Sequence, residues 1–110
     1  MLKRIVVTAG VLAVAGTVTL SMAAAPTVNV RVFQFRPGQI EVAANTDVLW
    51  INDDDIQHTI TSGTPERPDG RFDLKLADKG ARASVKLDRP GVYPYFCSRH
   101  QQMRGEIRVN

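Results

Sequence analysis

Cysteine is almost absent from this chain: one thiol, Cys97, stands among 110 residues. A single cysteine cannot form an internal disulfide, so the chain is not a disulfide-stabilised scaffold. Structural zinc sites are excluded as well, because they use the sets Cys₄, Cys₃His or Cys₂His₂. A binuclear copper site would need a second, bridging cysteine, which the chain does not have.

Little net positive charge remains once the first residues are set aside. The formal net charge is +3 at pH 7, and it falls to +1 without the two basic residues Lys3 and Arg4. No basic stripe interleaved with aromatic residues is present in the sequence. Nucleic acid is therefore not an expected partner.

The N-terminal segment has the organisation of a secretory signal peptide. A short basic start is followed by the uncharged apolar run Ile5–Leu20 and by the small residues of Ser21–Ala25. The alternative is an uncleaved membrane anchor, but a spanning helix needs about 20 apolar residues and this run has 16. We expect cleavage after Ala23, which gives a signal peptide, residues 1–23, and one exported domain, residues 24–110.

The remaining sequence predicts strands rather than helices. Val28, Val30 and Val32 alternate with polar residues at the period of two that is typical of a half-buried strand. Similar short runs recur between turn residues, at Gln39–Val42, Asp47–Asn52, His58–Ser62, Ala81–Leu87, Val92–Phe96 and Glu106–Val109. Gly63–Gly70, with two prolines, is expected to be a loop. We predict an all-β, antiparallel sandwich of seven to eight strands.

Three potential metal ligands lie within seven residues near the C-terminus: Cys97, His100 and Met103. A thiolate, an imidazole and a thioether favour a soft, redox-active ion, above all copper, and a His₂Cys set with a weak axial Met is the ligand set of blue-copper sites. That set needs a second histidine, and the chain has one other, His58. The alternatives are a buried structural thiol, a surface histidine and a core-filling methionine.

Other chemistries fit these residues less well. The acidic run Asp53–Asp55 lacks the spaced oxygen ligands and the glycine of a calcium-binding EF-hand loop, so we interpret it as a solvated turn. A Cys–His pair could serve a hydrolase. However, the methionine that follows at the same spacing indicates metal ligation instead.

The segment Gly91–Cys97, with His100 and Met103–Gly105 after it, resembles the C-terminal signature of the small blue copper proteins, the cupredoxins. The Cys-x₂-His-x₂-Met spacing is most similar to that of the amicyanins, with plastocyanin and pseudoazurin as related proteins. The resemblance implies an eight-stranded Greek-key sandwich that holds one type 1 copper ion. It also implies the ligands, which are His58, Cys97, His100 and, as the weak axial donor, Met103.

The chain departs from the amicyanin pattern beside both histidines. Gln57 and Thr59 stand where a proline and an asparagine usually flank the first histidine. We expect the backbone N–H of Thr59 to donate to the Cys97 sulfur, whereas the side-chain bond that joins the two ligand loops must differ. Prolines around the loop histidine are replaced by Arg99, Gln101 and Gln102.

The sequence therefore predicts a periplasmic electron carrier that uses copper as Cu(I)/Cu(II) and is not an enzyme. The resemblance implies redox proteins as partners, a periplasmic dehydrogenase or a c-type cytochrome, for a monomeric protein without stable membrane insertion. The alternative is a periplasmic copper-binding or trafficking protein. Such proteins favour methionine-rich sites, whereas Met1 and Met22 lie in the predicted signal peptide. A metal-free interaction module is a third possibility.

Overall fold

The computed structural model describes residues 25–110, so the predicted signal peptide lies outside the described residues. Nine strands make up this part of the chain. They are β1 (Thr27–Arg31), β2 (Gln34–Arg36), β3 (Gln39–Val42), β4 (Thr46–Asn52), β5 (His58–Thr64), β6 (Arg67–Leu76), β7 (Arg82–Leu87), β8 (Gly91–Cys97) and β9 (His100–Val109). Within the same range, no helix is long and apolar enough to cross a membrane.

The strands form two sheets, with the orders β2-β1-β4-β7 and β3-β9-β8-β5-β6. The prediction of a Greek-key β-sandwich is confirmed, although the structure has one strand more than the upper number expected. Not every pair is antiparallel: β1 runs parallel to β4, and β3 runs parallel to β9. The β1–β4 pair is the central pair of the four-stranded sheet, whereas the β3–β9 pair lies at the edge of the five-stranded sheet.

The core lies between the two sheets and is built by alternation along the strands. In β1, Val28 and Val30 are fully buried while Asn29 and Arg31 are not. The other buried apolar residues come from both sheets and include Phe35, Val42, Val48, Trp50, Ile60, Leu76, Tyr93, Tyr95, Met103, Ile107 and Val109. Side chains that alternate across a strand can fill one face and leave the other in water.

The sequence predicts that Val32 continues the alternation of β1, and this prediction is wrong. It is 62% exposed and lies with Phe33 in the two-residue turn between β1 and β2. The short strand β2 then returns antiparallel to β1, with Arg31 opposite Gln34.

The prediction of a loop over Gly63–Gly70 is wrong. Strand β5 continues to Thr64 and β6 begins at Arg67, so only two residues turn the chain. Pro68 is tolerated in β6 because that strand is at the edge of its sheet. Opposite it, Gly63 lies at a bulge with φ of 98°, a conformation that glycine adopts readily.

Candidate metal centre

Three strand ends bring together the two histidines and the cysteine. His58 begins β5, Cys97 ends β8 and His100 begins β9. Strand β8 lies between β5 and β9 in the sheet and is antiparallel to both. The segment from Cys97 to Met103, which we expected to be a loop, is a tight hairpin in which Cys97 is paired with His100 across the turn residues Ser98 and Arg99.

The donor atoms of these three residues converge on one point. One ligand atom from each of His58, Cys97 and His100 lies within 4.8 Å of the others. The Cys97 Sγ is 3.8 Å from His58 Nδ1 and 3.7 Å from His100 Nδ1. His58 and Cys97 are fully buried, whereas His100 is half-buried. The centre therefore lies just below the surface, with the His100 side in reach of solvent.

Met103 lies three residues after His100 on β9. Its side chain is 2% exposed, and it belongs to the same core cluster as Cys97. Its neighbours in sequence, Gln102 and Arg104, are exposed. The alternation of β9 thus turns the thioether into the molecule and the polar side chains towards water.

The Cys97 sulfur and the following residue are both bound to Thr59. The Thr59 N–H donates to Cys97 Sγ at 3.3 Å, which confirms the bond expected from the sequence. The Ser98 N–H donates to the Thr59 hydroxyl at 2.8 Å, and the two hydroxyls are 3.0 Å apart. Hydroxyl groups thus join the two ligand segments at the position where asparagine is usual.

The hydroxyl contacts continue from Thr59 to the neighbouring strand β6. The Thr61 hydroxyl donates to the Asp73 carboxylate at 2.9 Å, so its oxygen must accept from Thr59, 2.9 Å away. Thr59 has then used its only proton, and Ser98 must donate to it. The acceptor at the end fixes the direction of every hydroxyl in this chain of contacts.

Asp54 is the functional residue that the sequence interpretation missed. It was assigned to a solvated acidic turn, yet its Oδ2 lies 2.8 Å from His58 Nε2 and its side chain is only 14% exposed. Burial acts to raise the pKa of this carboxyl. Hydrogen bonds from the backbone N–H groups of Phe33 and Val32 and from His58 outweigh burial, so the pKa lies below its ordinary value.

An aromatic ring covers the two histidines. The Phe33 ring makes edge-to-face contacts with His58 at 5.6 Å and with His100 at 5.0 Å between centroids. The two imidazoles are 5.2 Å apart. Phe33 is 43% exposed, so part of the ring faces solvent while the rest packs on the two imidazoles.

The chemistry of this donor set fits copper. Two imidazole nitrogens and one cysteine sulfur converge, and the cluster contains no carboxylate of the kind that magnesium or calcium prefers. The Cys97 sulfur is buried and accepts a hydrogen bond from a backbone N–H, a contact of the kind that orients metal ligands. A β-sandwich with a His–Cys–His cluster at one end defines the class of small mononuclear copper proteins.

Comparisons with known proteins agree with this class. The family model of the copper binding proteins of the plastocyanin/azurin family matches residues 22–110. A plastocyanin from Scenedesmus fuscus is 32% identical over 83 residues, which cover 68% of this chain and 85% of that protein. Amicyanin-alpha from Methylorubrum extorquens is 23% identical over 82 residues, which cover 74% of this chain and 69% of that protein.

Solved structures show the same fold. A purple cupredoxin from Nitrosopumilus maritimus superimposes with a TM-score of 0.71 at 24% identity, over 77% of this chain and 99% of that chain. The Cu(I) form of an amicyanin mutant gives 0.66 at 25% identity, over 78% of this chain and 82% of that chain. The chain belongs to the cupredoxins, the copper-binding plastocyanin/azurin family, whose members are electron-transfer proteins with copper as cofactor.

Proposed function

We propose that this protein is exported to the periplasm and carries single electrons on one type 1 copper ion held by His58, Cys97, His100 and Met103. The observation that carries the proposal is the convergence of three donor atoms within 4.8 Å at strand ends that the sheet itself positions. Bound copper would supply the one-electron step, by cycling between Cu(I) and Cu(II).

The protein's own contribution is a donor set that the fold has already positioned. Cys97 and His100 are fixed across a two-residue turn, and His58 is supplied by the neighbouring strand. Burial of the thiolate excludes water and competing oxidants from it. Because backbone hydrogen bonds between strands hold these positions, a change of charge at the centre requires little rearrangement of the ligands. Half-buried His100 gives the shortest route from the centre to the surface.

The export proposal rests on the first 23 residues and on the lone thiol. Removal of residues 1–23 would leave the whole sandwich, because β1 begins at Thr27. A free thiol in an oxidising compartment must be buried or bound to metal, and Cys97 is fully buried. Mass spectrometry of the protein purified from the periplasm tests the boundary, for which we expect a new N-terminus at Ala24.

The ligand assignment is tested by colour. Purified protein loaded with Cu(II) should show the intense visible absorption of a thiolate–copper bond, and Cys97→Ser should abolish it because no other thiolate is available. Ser98→Ala is the matched control, since it alters the adjacent turn residue but leaves all four proposed ligands. Absorption that survives in Cys97→Ser would show that the assignment is wrong.

A further inference from the structure

The turn between β1 and β2 has an unfavourable backbone conformation. Its two residues, Val32 and Phe33, have φ angles of 51° and 57°. Two-residue hairpin turns of this kind normally contain Asn-Gly or Asp-Gly, because side chains with a Cβ are disfavoured at positive φ. A β-branched valine is among the least suited residues for this region. Something outside the turn must therefore stabilise it.

The Asp54 carboxylate provides that stabilisation from 22 residues away in sequence. Its Oδ1 accepts from the Val32 N–H at 2.8 Å, and its Oδ2 accepts from the Phe33 N–H at 3.1 Å. Successive backbone N–H groups in a turn can form a concave site for an anion. Here the anion is a side chain of the same protein.

The same carboxylate fixes the first proposed ligand. Oδ2 of Asp54 lies 2.8 Å from His58 Nε2, so this ring nitrogen carries the proton and Nδ1 is left free to face Cys97. Asp54 is itself held by Asn52, a fully buried residue whose side-chain oxygen accepts from the Asp54 N–H at 2.9 Å. The Asn52 amide in turn donates to two backbone carbonyls, those of Ile56 and Leu76.

The residue types in the turn are explained by the contact that Phe33 makes with the site. Glycine would relieve the backbone at position 33 but would remove the ring that packs on both imidazoles. The turn is therefore strained in order to place an aromatic side chain over the histidine pair.

We propose that Asp54 is a positioning residue that joins the β1–β2 turn to His58, fixing the imidazole tautomer and holding Phe33 over the two histidines. The proposal rests on the ligand role of His58 proposed above. Asp54→Asn is the decisive variant, because an amide offers one acceptor oxygen and places an NH₂ group opposite at least one of the three donors. Asp53→Asn and Asp55→Asn are matched controls, since both side chains are exposed neighbours in the same acidic run.

Two measurements separate this role from a merely structural one. In the metal-free protein, NMR of the His58 ring should show a slowly exchanging Nε2–H in the wild type and in both controls. That signal should be lost to exchange in Asp54→Asn. In the copper-loaded protein, Asp54→Asn should lower copper affinity by roughly ten- to a hundredfold. It should also raise the reduction potential, because an imidazole bound to a carboxylate is a better donor to Cu(II).

The outcomes are distinguishable from failure of the proposed function. If Asp54→Asn matches the two controls in ring exchange, affinity and potential, the proposal is wrong, whatever the colour test on Cys97 shows. If Asp54→Asn does not fold, the NMR spectrum of the His58 ring in the metal-free wild-type protein tests the proposal instead. A protonated Nε2 with a bare Nδ1 supports the role of Asp54, and a ring protonated at Nδ1 overturns it.

Discussion

At the scale of single residues, Tyr95 shows how burial alters chemistry in this core. Its ring contacts Trp50 edge-to-face, with centroids 5.4 Å apart, and its side chain is 1% exposed. Within residues 25–110, neither its hydroxyl nor the Trp50 indole N–H has a hydrogen-bond partner. Burial raises the pKa of Tyr95 to about 12, and the indole N–H of Trp50 does not approach closely enough to offset it.

This shift predicts a loss of stability in alkali. In the unfolded chain the phenol ionises near pH 10, while in the fold it stays protonated up to about 12. The stabilisation that comes from keeping the Tyr95 phenol protonated is therefore complete below pH 10. It is lost between pH 10 and 12, which lowers the free energy of unfolding by about 2 to 3 kcal/mol. Thermal melts of wild type and Tyr95→Phe over this range measure it. The variant should lose less stability, and an equal loss in both would contradict the shift.

Met103 offers a second test at this scale. Met103→Leu keeps the buried apolar volume but removes the sulfur. We expect copper to stay bound while the reduction potential rises, because a weak donor that favours Cu(II) has gone. Voltammetry of the two proteins measures the change. An unchanged potential and spectrum would show that Met103 only fills the core.

At the scale of strands, the alternating patterns were predictable and the edges were not. Buried Val28 and Val30 follow from local alternation, and the strand that leads to Cys97 follows from its short run of β-branched and aromatic residues between turns. The strand at Arg67–Gly70 was missed because proline and glycine locally favour a loop, whereas Pro68 is accommodated by the edge position of β6, which depends on the assembled fold. Asp54 was missed for the same reason, since its partners Val32 and Phe33 are more than 20 residues away.

The bulge at Gly63 in β5 allows a test of how closely β5 approaches the edge strand β6. A Cβ on Gly63 would lie 2.3 Å from the Arg67 carbonyl oxygen, which is backbone and cannot rotate away. Gly63→Ala should lower the free energy of unfolding by about 2 to 4 kcal/mol. Gly70→Ala is the control: its φ is 73° but its surroundings are open, so about 1 to 2 kcal/mol is expected. Denaturant titrations that give equal losses would contradict the tight approach at Gly63.

At the scale of the whole molecule, the end of the sandwich that carries His100 also carries positively charged arginine side chains. Arg104 is paired with Glu66 at 3.4 Å rather than with the acidic run Asp53–Asp55. Arg99 is exposed beside His100 and makes no salt bridge among residues 25–110. An unpaired cation next to the exit route should attract anionic partners.

This placement predicts charge-dependent kinetics. Arg99→Glu should slow oxidation of the Cu(I) protein by anionic ferricyanide several-fold at low salt, with the difference shrinking as ionic strength rises. Arg89→Glu, at the opposite end of β8, makes the same charge change away from the site and should have a smaller effect. Stopped-flow measurements across a salt series test this. Equal effects of the two variants would mean that only net charge matters.

The hairpin that carries Cys97 and His100 also has a consequence for the chain before it folds. Three of the four proposed ligands lie within seven residues, whereas His58 is 39 residues from Cys97. An unfolded chain can therefore still chelate copper with this one short segment. A ligand that binds both states stabilises the fold only by the difference between its two affinities. Copper will thus raise the melting temperature by less than its native-state affinity alone implies, and it will remain attached to the nascent or denatured polypeptide.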